Sequence, residues 1–403
     1  MKLYFNYSSL LIAALVIGSV QCVENKDGDQ QLNENKNQYG LSTDQINWMR
    51  DAASQQLKGS RVKGADNVWI YTPDGVGHYK ALWTRDFYYM VEYAGELIDP
   101  DEIKASIYYL LNGQRDDGCI PDRVNVKGEP IYSPGAPNNP LADHALDNGP
   151  FMAMLVCSYV NRYDDKDLFL DVEAKLRNGL EQVNRLESGM VFNSPDNPQC
   201  VYGFTDIVKK TGNLLFSSLL FYKASLEMEK LCRKYNCGDP EYYKQNSDLI
   251  RKSINELWDD KTGMYWAADI DCKQIDIWGS AYAVEVGITT EEQTERISNY
   301  YADHSDEVIL RGQIRHLPKT DSSWEKLFIE CDEGTYQNGA YWATPLAWVV
   351  PTIARKNPEL AKDIINAVIK DFQENGINEC INDDYFKIPN FVVSATNVYS
   401  LTR

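Results

Sequence analysis

From about Leu41 to the end of the chain, apolar and polar positions recur with helical spacing, and the pattern predicts twelve helices. They run over 43–58, 85–97, 100–114, 146–163, 167–187, 212–236, 240–258, 276–286, 290–303, 339–356, 358–374 and 390–402. The twelve alternate in character. In 358–374 a single stripe of Leu360, Ile364, Ile365, Val368, Ile369 and Phe372 recurs among Lys, Asp and Glu, as in an outer helix with one wet face. Its predecessor, 339–356, carries Trp342, Leu346, Trp348, Val349 and Val350 and is apolar nearly all round, which calls for burial on most sides. The apolar run from Phe151 to Val156 in 146–163 contrasts in the same way with the charged 167–187. Buried helices alternating with amphipathic ones, joined as hairpins, predict two concentric rings of six in one all-α domain over 41–403. Strand-like runs are few and short, and no short repeat is visible, which excludes a solenoid of near-identical units.

The ends and the composition narrow the class. Residues 1–22 read as a secretion signal, with Lys2 before the apolar run Leu10–Val20, too short to span a bilayer comfortably. Cleavage after Cys22 is the preferred reading and lipidation of Cys22 the rival. Residues 23–40 are polar and predict a flexible lead-in. No other segment is apolar enough to cross a membrane, so the expected protein is secreted. Eight cysteines remain after Cys22, an even count that in an exported protein favours disulfides, with Cys232 and Cys237 the best local pair. His78, His144, His304 and His316 are widely scattered, and no Cys-x-x-Cys is present, which argues against a metal site. A formal charge of −19 argues against nucleic acid and against a strongly anionic polysaccharide.

Candidate chemistry clusters at six places. Trp83-Thr84-Arg85-Asp86 opens the second helix, and Asp143-His144-Ala145-Leu146-Asp147-Asn148-Gly149 opens the fourth. Tyr202 to Asp206 precedes the sixth, and Asp276-Ile277-Trp278-Gly279 opens the eighth. Tyr336-Gln337-Asn338-Gly339 opens the tenth, and Asn378-Glu379 lies before the twelfth. If the inner helices run parallel, all six loops converge on one rim, where aromatic faces cover sugar rings and carboxylates or amides bind hydroxyls. Taken singly, each Asp could equally be a helix N-cap. Six motifs in one phase are harder to explain that way.

These residues resemble the six-hairpin glycosidases, whose fold is an (α/α)6 barrel. The likeness is greatest to neutral and alkaline invertases, with trehalases, glucoamylases and mannosyl-oligosaccharide glucosidases more distant. Arg85-Asp86-Phe87 resembles an Arg-Asp-Phe whose Asp lies in the sugar pit. Asp147-Asn148-Gly149 is similar to Asp-Ser-Gly, whose Asp is the general acid. Tyr336-Gln337-Asn338-Gly339-Ala340-Tyr341-Trp342 resembles Tyr-His-Asn-Gly-Gly-x-Trp, and Glu379 falls where the family has its base. Ser is replaced by Asn148, His by Gln337, and the neighbours of Glu379 differ, so sucrose itself does not follow from the likeness. The resemblance implies an inverting exo-glycosidase acting on a neutral, glucose-containing sugar without a cofactor. Asp147 is its acid, Glu379 its base, and Arg85 with Asp86 holds the terminal sugar. Two carboxyls in different protonation states are what this chemistry needs, so Asp147 is expected raised by burial and Glu379 ionised.

Trp83, Trp278, Tyr336, Asn338 and Trp342 are further expected in the pit, with Asp206. Glu333 is expected either as the competing base or as a sugar-binding residue. Asp117 and Asp122, in a turn similar to the Asp-Gly-x-Ile-Pro of several six-hairpin enzymes, are expected near substrate or in a surface turn. The rival readings are a uronyl hydrolase, lyase or phosphorylase on the same fold, a barrel that binds sugar without cutting it, and a scaffold with no ligand. A phosphorylase needs a phosphate pocket, and no basic cluster falls within the six loops.

Overall fold

Helices whose sequence leaves no polar face form the inner ring of the structure, a computed structural model that describes residues 37–403 apart from 203, 205 and 319–325. The predicted signal, Cys22 and most of the 23–40 lead-in lie outside the described residues. The inner helices are α2 (Thr84–Ala94), α4 (Asn148–Tyr163), α6 (Leu215–Tyr235), α8 (Ile277–Glu285), α11 (Leu346–Ala354) and α13 (Val392–Ser400). Every residue of α2 from Thr84 to Val91 is buried, as is every residue of α4 from Asn148 to Cys157. Each packs on the next in that order, and α13 packs back on α2, so the ring closes. This is the (α/α)6 barrel.

The outer ring is α1 (Thr43–Ser60), α3 (Pro100–Leu111), α5 (Lys166–Glu181), α7 (Pro240–Ser253), α9 (Glu291–Asp303) and α12 (Pro358–Asn375), with a one-turn α10 (Ser305–Val308) after α9. These helices bury one stripe and depend on local signals for their ends. Ser42 with Gln45, and Thr290 with Gln293, form capping boxes at α1 and α9. Pro100, Pro240 and Pro358 stand in the first turns of α3, α7 and α12, where the missing N–H has no partner to lose. The described residues form one compact unit.

The bore is filled by aromatic side chains, so the barrel is a solid support. Tyr89 of α2 stacks on Trp348 of α11 at 5.7 Å between centroids, and Phe216 of α6 stacks on Tyr282 of α8 at 4.8 Å. Phe151 of α4 leans on Tyr88 at 5.5 Å. Such offset pairs bury large apolar area in fixed geometry. No helix of the described residues is long and apolar enough to cross a membrane.

Above the plug, short strands fix the loops. Ala81–Trp83 pairs antiparallel with Arg123–Asn125, which pairs with Pro130–Ile131. A five-stranded sheet runs in the order Ile309–Leu310, Gln313–Arg315, Tyr341–Trp342, Asn378–Ile381, Phe386–Pro389. This corrects the helix expected over 339–356: Tyr341 pairs with Arg315 and with Ile381, and the helix starts only at Leu346. A short apolar run satisfies a buried strand as well as a buried helix, and periodicity does not separate them. Likewise Gly212–Asn213 is strand and α6 starts at Leu215, while α5 ends at Glu181. The eight cysteines of the described residues are free thiols, so the expected Cys232–Cys237 bridge is not formed.

Gly149 shows why its motif needs glycine. A Cβ there would lie 2.3 Å from the carbonyl oxygen of Gly179, on the backbone of α5. Gly149→Ala is therefore expected to force α4 and α5 apart and to destabilise the protein by about 1–3 kcal/mol. Urea unfolding checks this, and an unchanged midpoint would show that the two helices separate freely.

Candidate active site

One cavity of about 450 Å3 opens on the rim where the inner helices begin. Its wall takes Trp83, Arg85 and Asp86 from the start of α2, and Phe204, Asp206 and Ile207 from the segment before α6. Tyr336 and Gln337 come from the loop before α11, and Glu379 with Phe391 from the segment before α13. Four of the six predicted loops thus meet in one pit. Apolar faces of Trp83, Phe204, Tyr336 and Phe391 alternate with carboxylates, a lining suited to a ligand with flat apolar faces and hydroxyl edges.

The floor is organised by the Arg85 guanidinium, which is 2% exposed. Its Nη2 donates to Asp122 Oδ1 at 2.6 Å, and its Nη1 lies 3.6 Å from Asp147 Oδ2. Arg123 Nη1 donates to the other oxygen of Asp122 at 2.6 Å and to the carbonyl of Ser133, and its Nη2 donates to the carbonyl of Gly135. Its guanidinium also lies 4.4 Å from the centroid of the Trp83 ring, which holds that indole in place. Burial alone would loosen the Arg85 proton, but Asp122, Asp147, Asp206 and Asp86 outweigh it, and the guanidinium is held more firmly charged than usual.

Three carboxyls reach the pit, and burial raises each. Asp86 is pushed up to about 8 by burial, against the pull of Arg85 and with the help of Glu379. Asp206 is pushed up to about 6 by burial, again opposed by Arg85, while Gln337 Nε2 donates to its Oδ1 at 2.7 Å. Glu379 is pushed up to about 7 by burial, with Lys387 and a hydrogen bond from Tyr79 pulling it down. The expectation that Glu379 stays ionised is thus corrected: at neutral pH it titrates, because the aromatic plug and the sheet exclude water from it.

Glu379 sits in the strand Asn378–Ile381, and Tyr79 Oη donates to its Oε1 at 2.7 Å. Among the described residues its buried Oε2 has no hydrogen-bond partner, nor has Nε1 of Trp83. Tyr79 is itself positioned by Asp74, whose carboxylate accepts from the backbone N–H groups of Val76, His78 and Tyr79. A loop of six residues is thereby folded around one buried acid, and its Tyr79 serves a glutamate 300 residues further along the chain. Gln337, where the resembled motif has His, also accepts from Ile207 N at 2.9 Å and clamps the Asp206 segment to the Tyr336 loop.

Several expected residues lie elsewhere. Asp147 is fully buried under Arg85 and does not form the wall; its side chain makes no capping bond to α4. Asp276 does cap: it accepts from Gly279 N at 2.6 Å. Trp278 and Trp342 are buried in the layer beneath, Trp278 donating to Ile314 O and Trp342 packing edge-on against Phe204. Asn338 donates to Cys331 O within its own turn. Asp117 is an exposed turn residue paired with Arg115 at 2.7 Å, and the Arg115 hydrogen bond holds its carboxyl below the usual range. Glu333 borders a separate hollow of about 340 Å3. Residues that sequence reasoning passed over include Asp74, Tyr79, Gln337 as a clamp, Lys387 and Phe391, each ordinary in type and assembled only by the fold.

No family model and no curated protein matches the sequence. Among solved structures, the fold is similar to the GH63 mannosylglycerate hydrolase of Thermus thermophilus, solved with Tris and D-glycerate. The TM-score is 0.67 at 13% identity, over 88% of this chain and 100% of that one. It is also similar to the rhamnosidase of Klebsiella oxytoca with rhamnose bound, at TM-score 0.64 and 13% identity, over 89% of this chain and 64% of that one. The GH78 rhamnosidase of Bacillus sp. GL1 follows at 0.60 and 11%, over 89% and 34%. These likenesses show the (α/α)6 fold.

The raised carboxyls have a consequence for stability. A carboxyl whose folded pKa lies above its unfolded value binds its proton more tightly when folded. The folded state therefore loses stability as pH rises from the unfolded value of about 4 to the folded value, and no further above it. Asp86→Asn removes that loss. The variant is expected to match the wild type near pH 4 and to exceed it at pH 8 by on the order of a few kcal/mol. Thermal unfolding across that range checks it, and a variant less stable at pH 8 would show that Asp86 is ionised and well paired in the fold.

Proposed function

We propose that the chain is a secreted exo-glycoside hydrolase that draws the terminal neutral sugar of a short glycoside into the pit and cleaves it with inversion. The observation that carries this reading is Glu379, with one oxygen held by Tyr79 and the other without a hydrogen-bond partner among the described residues, in a pit whose wall also holds Arg85, Asp86 and Asp206. A base so placed takes a proton from water on one face of the sugar, while a carboxylic acid protonates the leaving oxygen on the other. Asp86, neutral near pH 7, and Arg85 hold the sugar hydroxyls. Asp147 is assigned as the acid: it stands at the start of an inner helix without capping it, one guanidinium below the pit, in a motif resembling the acid motif of the invertases. The structural neighbours named for mannosylglycerate hydrolysis and rhamnose support a glycosidase reading, and the signal-like residues 1–22 support secretion. Fold alone does not fix function, so the case rests on the site. The chemistry calls for no cofactor.

A second reading makes Asp206 the acid, favoured by its place on the wall and its carboxyl raised to about 6. Purified protein is screened against gluco-, manno- and rhamnosides, with Asp147→Asn, Asp206→Asn and Glu379→Gln beside it. Loss of the acid or base is expected to lower kcat by roughly 10²–10⁴-fold. The acid variant alone recovers on an aryl glycoside whose leaving group needs no proton, which separates Asp147 from Asp206. Proton NMR of the first-formed anomer tests inversion. Saturable binding without release from any sugar would replace the hydrolase with a sugar-binding barrel.

The pH profile offers an independent check. Because Glu379 must be ionised to act as base, kcat/KM is expected to rise as pH passes through about 7. Tyr79→Phe removes a hydrogen bond that favours the charged form, worth about 1.5–3 kcal/mol, and should move that limb upward by about one pH unit or more. A limb that stays in place would assign the titration to another group.

A further inference from the structure

The pit has two kinds of wall. Aromatic rings and carboxylates line its floor, whereas Pro134, Leu141, Ile207 and Ile329 line its mouth without an aromatic ring or a polar side chain. Three observations bring these four residues together. Gly135–Ala136 pairs with Asn139–Pro140 as a hairpin, and Leu141 N donates to Pro134 O at 2.9 Å, so the chain returns Leu141 to the side of Pro134. Leu141 and Tyr336 pack on one small apolar cluster that contains Ile207 and Val208. Phe328 N donates to Ile207 O at 2.8 Å, which brings Ile329 to the edge of that cluster. The hairpin is fixed at its base, because Arg123 donates to the carbonyls of Ser133 and Gly135. Gly135 has a φ of 98°, and a Cβ there would stand 2.9 Å from Asn139 O and 3.2 Å from Leu141 Cγ, so the turn is packed as well as tethered. Ile329 is nevertheless 43% exposed. A single exposed isoleucine is ordinary, but this one prolongs an aliphatic shelf that runs into the pit. An apolar surface continuous with a binding cavity is the mark of a ligand groove.

We infer that the leaving group of the substrate is an apolar alcohol, which lies along Pro134, Leu141, Ile207 and Ile329 once the sugar occupies the floor. The direction rests on the hydrolase reading: the hydroxyl-rich end of the ligand needs Arg85 and the floor carboxyls, which leaves the far side of the bond to the shelf. The chemistry of the shelf then decides between a second sugar and a hydrophobe. A sugar ring is held by an aromatic face against its C–H groups and by donors and acceptors around its edge. The four shelf side chains supply neither a π face nor a polar atom. A second sugar there would surrender water from its hydroxyls without replacement, which is costly. An alkyl or aryl group surrenders only its unfavourable contact with water. Nothing in the sequence announces the shelf, because Pro134 and Leu141 fall in an irregular stretch while Ile207 and Ile329 lie far apart in the chain.

The test is a homologous series: methyl, butyl, hexyl and octyl glycosides of glucose, mannose and rhamnose, in both anomers and below their micelle concentrations. From butyl to octyl the leaving alkanols hardly differ in acidity, so the chemistry stays constant while burial varies. kcat/KM is expected to rise by roughly threefold per methylene until the chain outruns the shelf. Ile329→Ser, at an exposed position, should leave the methyl glycoside unchanged and flatten the series, and Ile329→Leu should restore the slope. A flat series in the wild type would overturn the inference, as would a slope that Ile329→Ser leaves intact. A disaccharide cleaved faster than the hexyl glycoside of the same terminal sugar would give the shelf to a second sugar and overturn the choice of an apolar group. If no glycoside is cleaved, the hydrolase reading falls separately. Calorimetric affinities of the same series then decide the matter, with affinity that climbs with chain length supporting the shelf and affinity that does not, or no binding, overturning it.

Discussion

Everything at the rim depends on keeping one buried guanidinium surrounded by acids. Arg85 arrives on the first turn of α2, Asp122 on the strand beside it, Asp147 at the start of α4 and Asp206 on the segment before α6. Withdrawing a charge from water is costly, and the attraction between Arg85 and its acids offsets that cost only while the set is complete. Removing one partner of such a buried pair is typically destabilising by about 3–5 kcal/mol, because it strands the other. The network therefore ties the openings of three inner helices into a unit that holds its shape before any ligand enters. Arg123 extends the same unit to Trp83 and to the 133–135 loop.

The barrel beneath makes those charges matter. A bore filled by Tyr89, Phe151, Phe216, Tyr282 and Trp348 leaves little room for water to screen the floor, so Asp86, Asp206 and Glu379 hold protons that they would release in solution. The opposite wall solves a different problem, that of aiming one carboxylate. Glu379 lies in a strand hydrogen-bonded on both sides, and Tyr79 reaches it from a loop wound round Asp74. A helix start positions Arg85 through its backbone, whereas Glu379 is positioned by sheet register plus one hydrogen bond. The two walls are thus built by different means, and each leaves its reactive group rigid.

Much of this was legible in the chain, for reasons that can be named. Helices buried on all sides must be apolar all round, so α4, α8 and α11 announce the inner ring, as the stripe of α12 announces the outer. The rim motifs were legible as places where polar residues interrupt apolar helices at their starts. Their individual roles were not. Asp147 and Asp276 both stand at the N-terminus of an inner helix, yet Asp276 caps its helix and Asp147 turns to Arg85, a choice made by tertiary partners. Trp83, Trp278 and Trp342 look alike in sequence, and only Trp83 reaches the pit, because the other two point into the plug from one layer below. The pairing of Tyr79 with Glu379 leaves no trace in local spacing. Tyr341–Trp342 read as helix because two buried residues fit either period.

The burial of Asp86, Asp206 and Glu379 beside Lys387 follows from the same constraints. Under the hydrolase reading, a floor that exchanges protons needs acids whose charge is expensive, and burial supplies that. Acids at the mouth would undo it, since their field would raise the floor carboxyls further and hold Glu379 neutral where a base must be ionised. Basic groups at the mouth act the other way, and Lys387 already pulls Glu379 down against its burial. Lys387 is therefore coupled to the floor through its field, and a change in its charge is felt at Glu379.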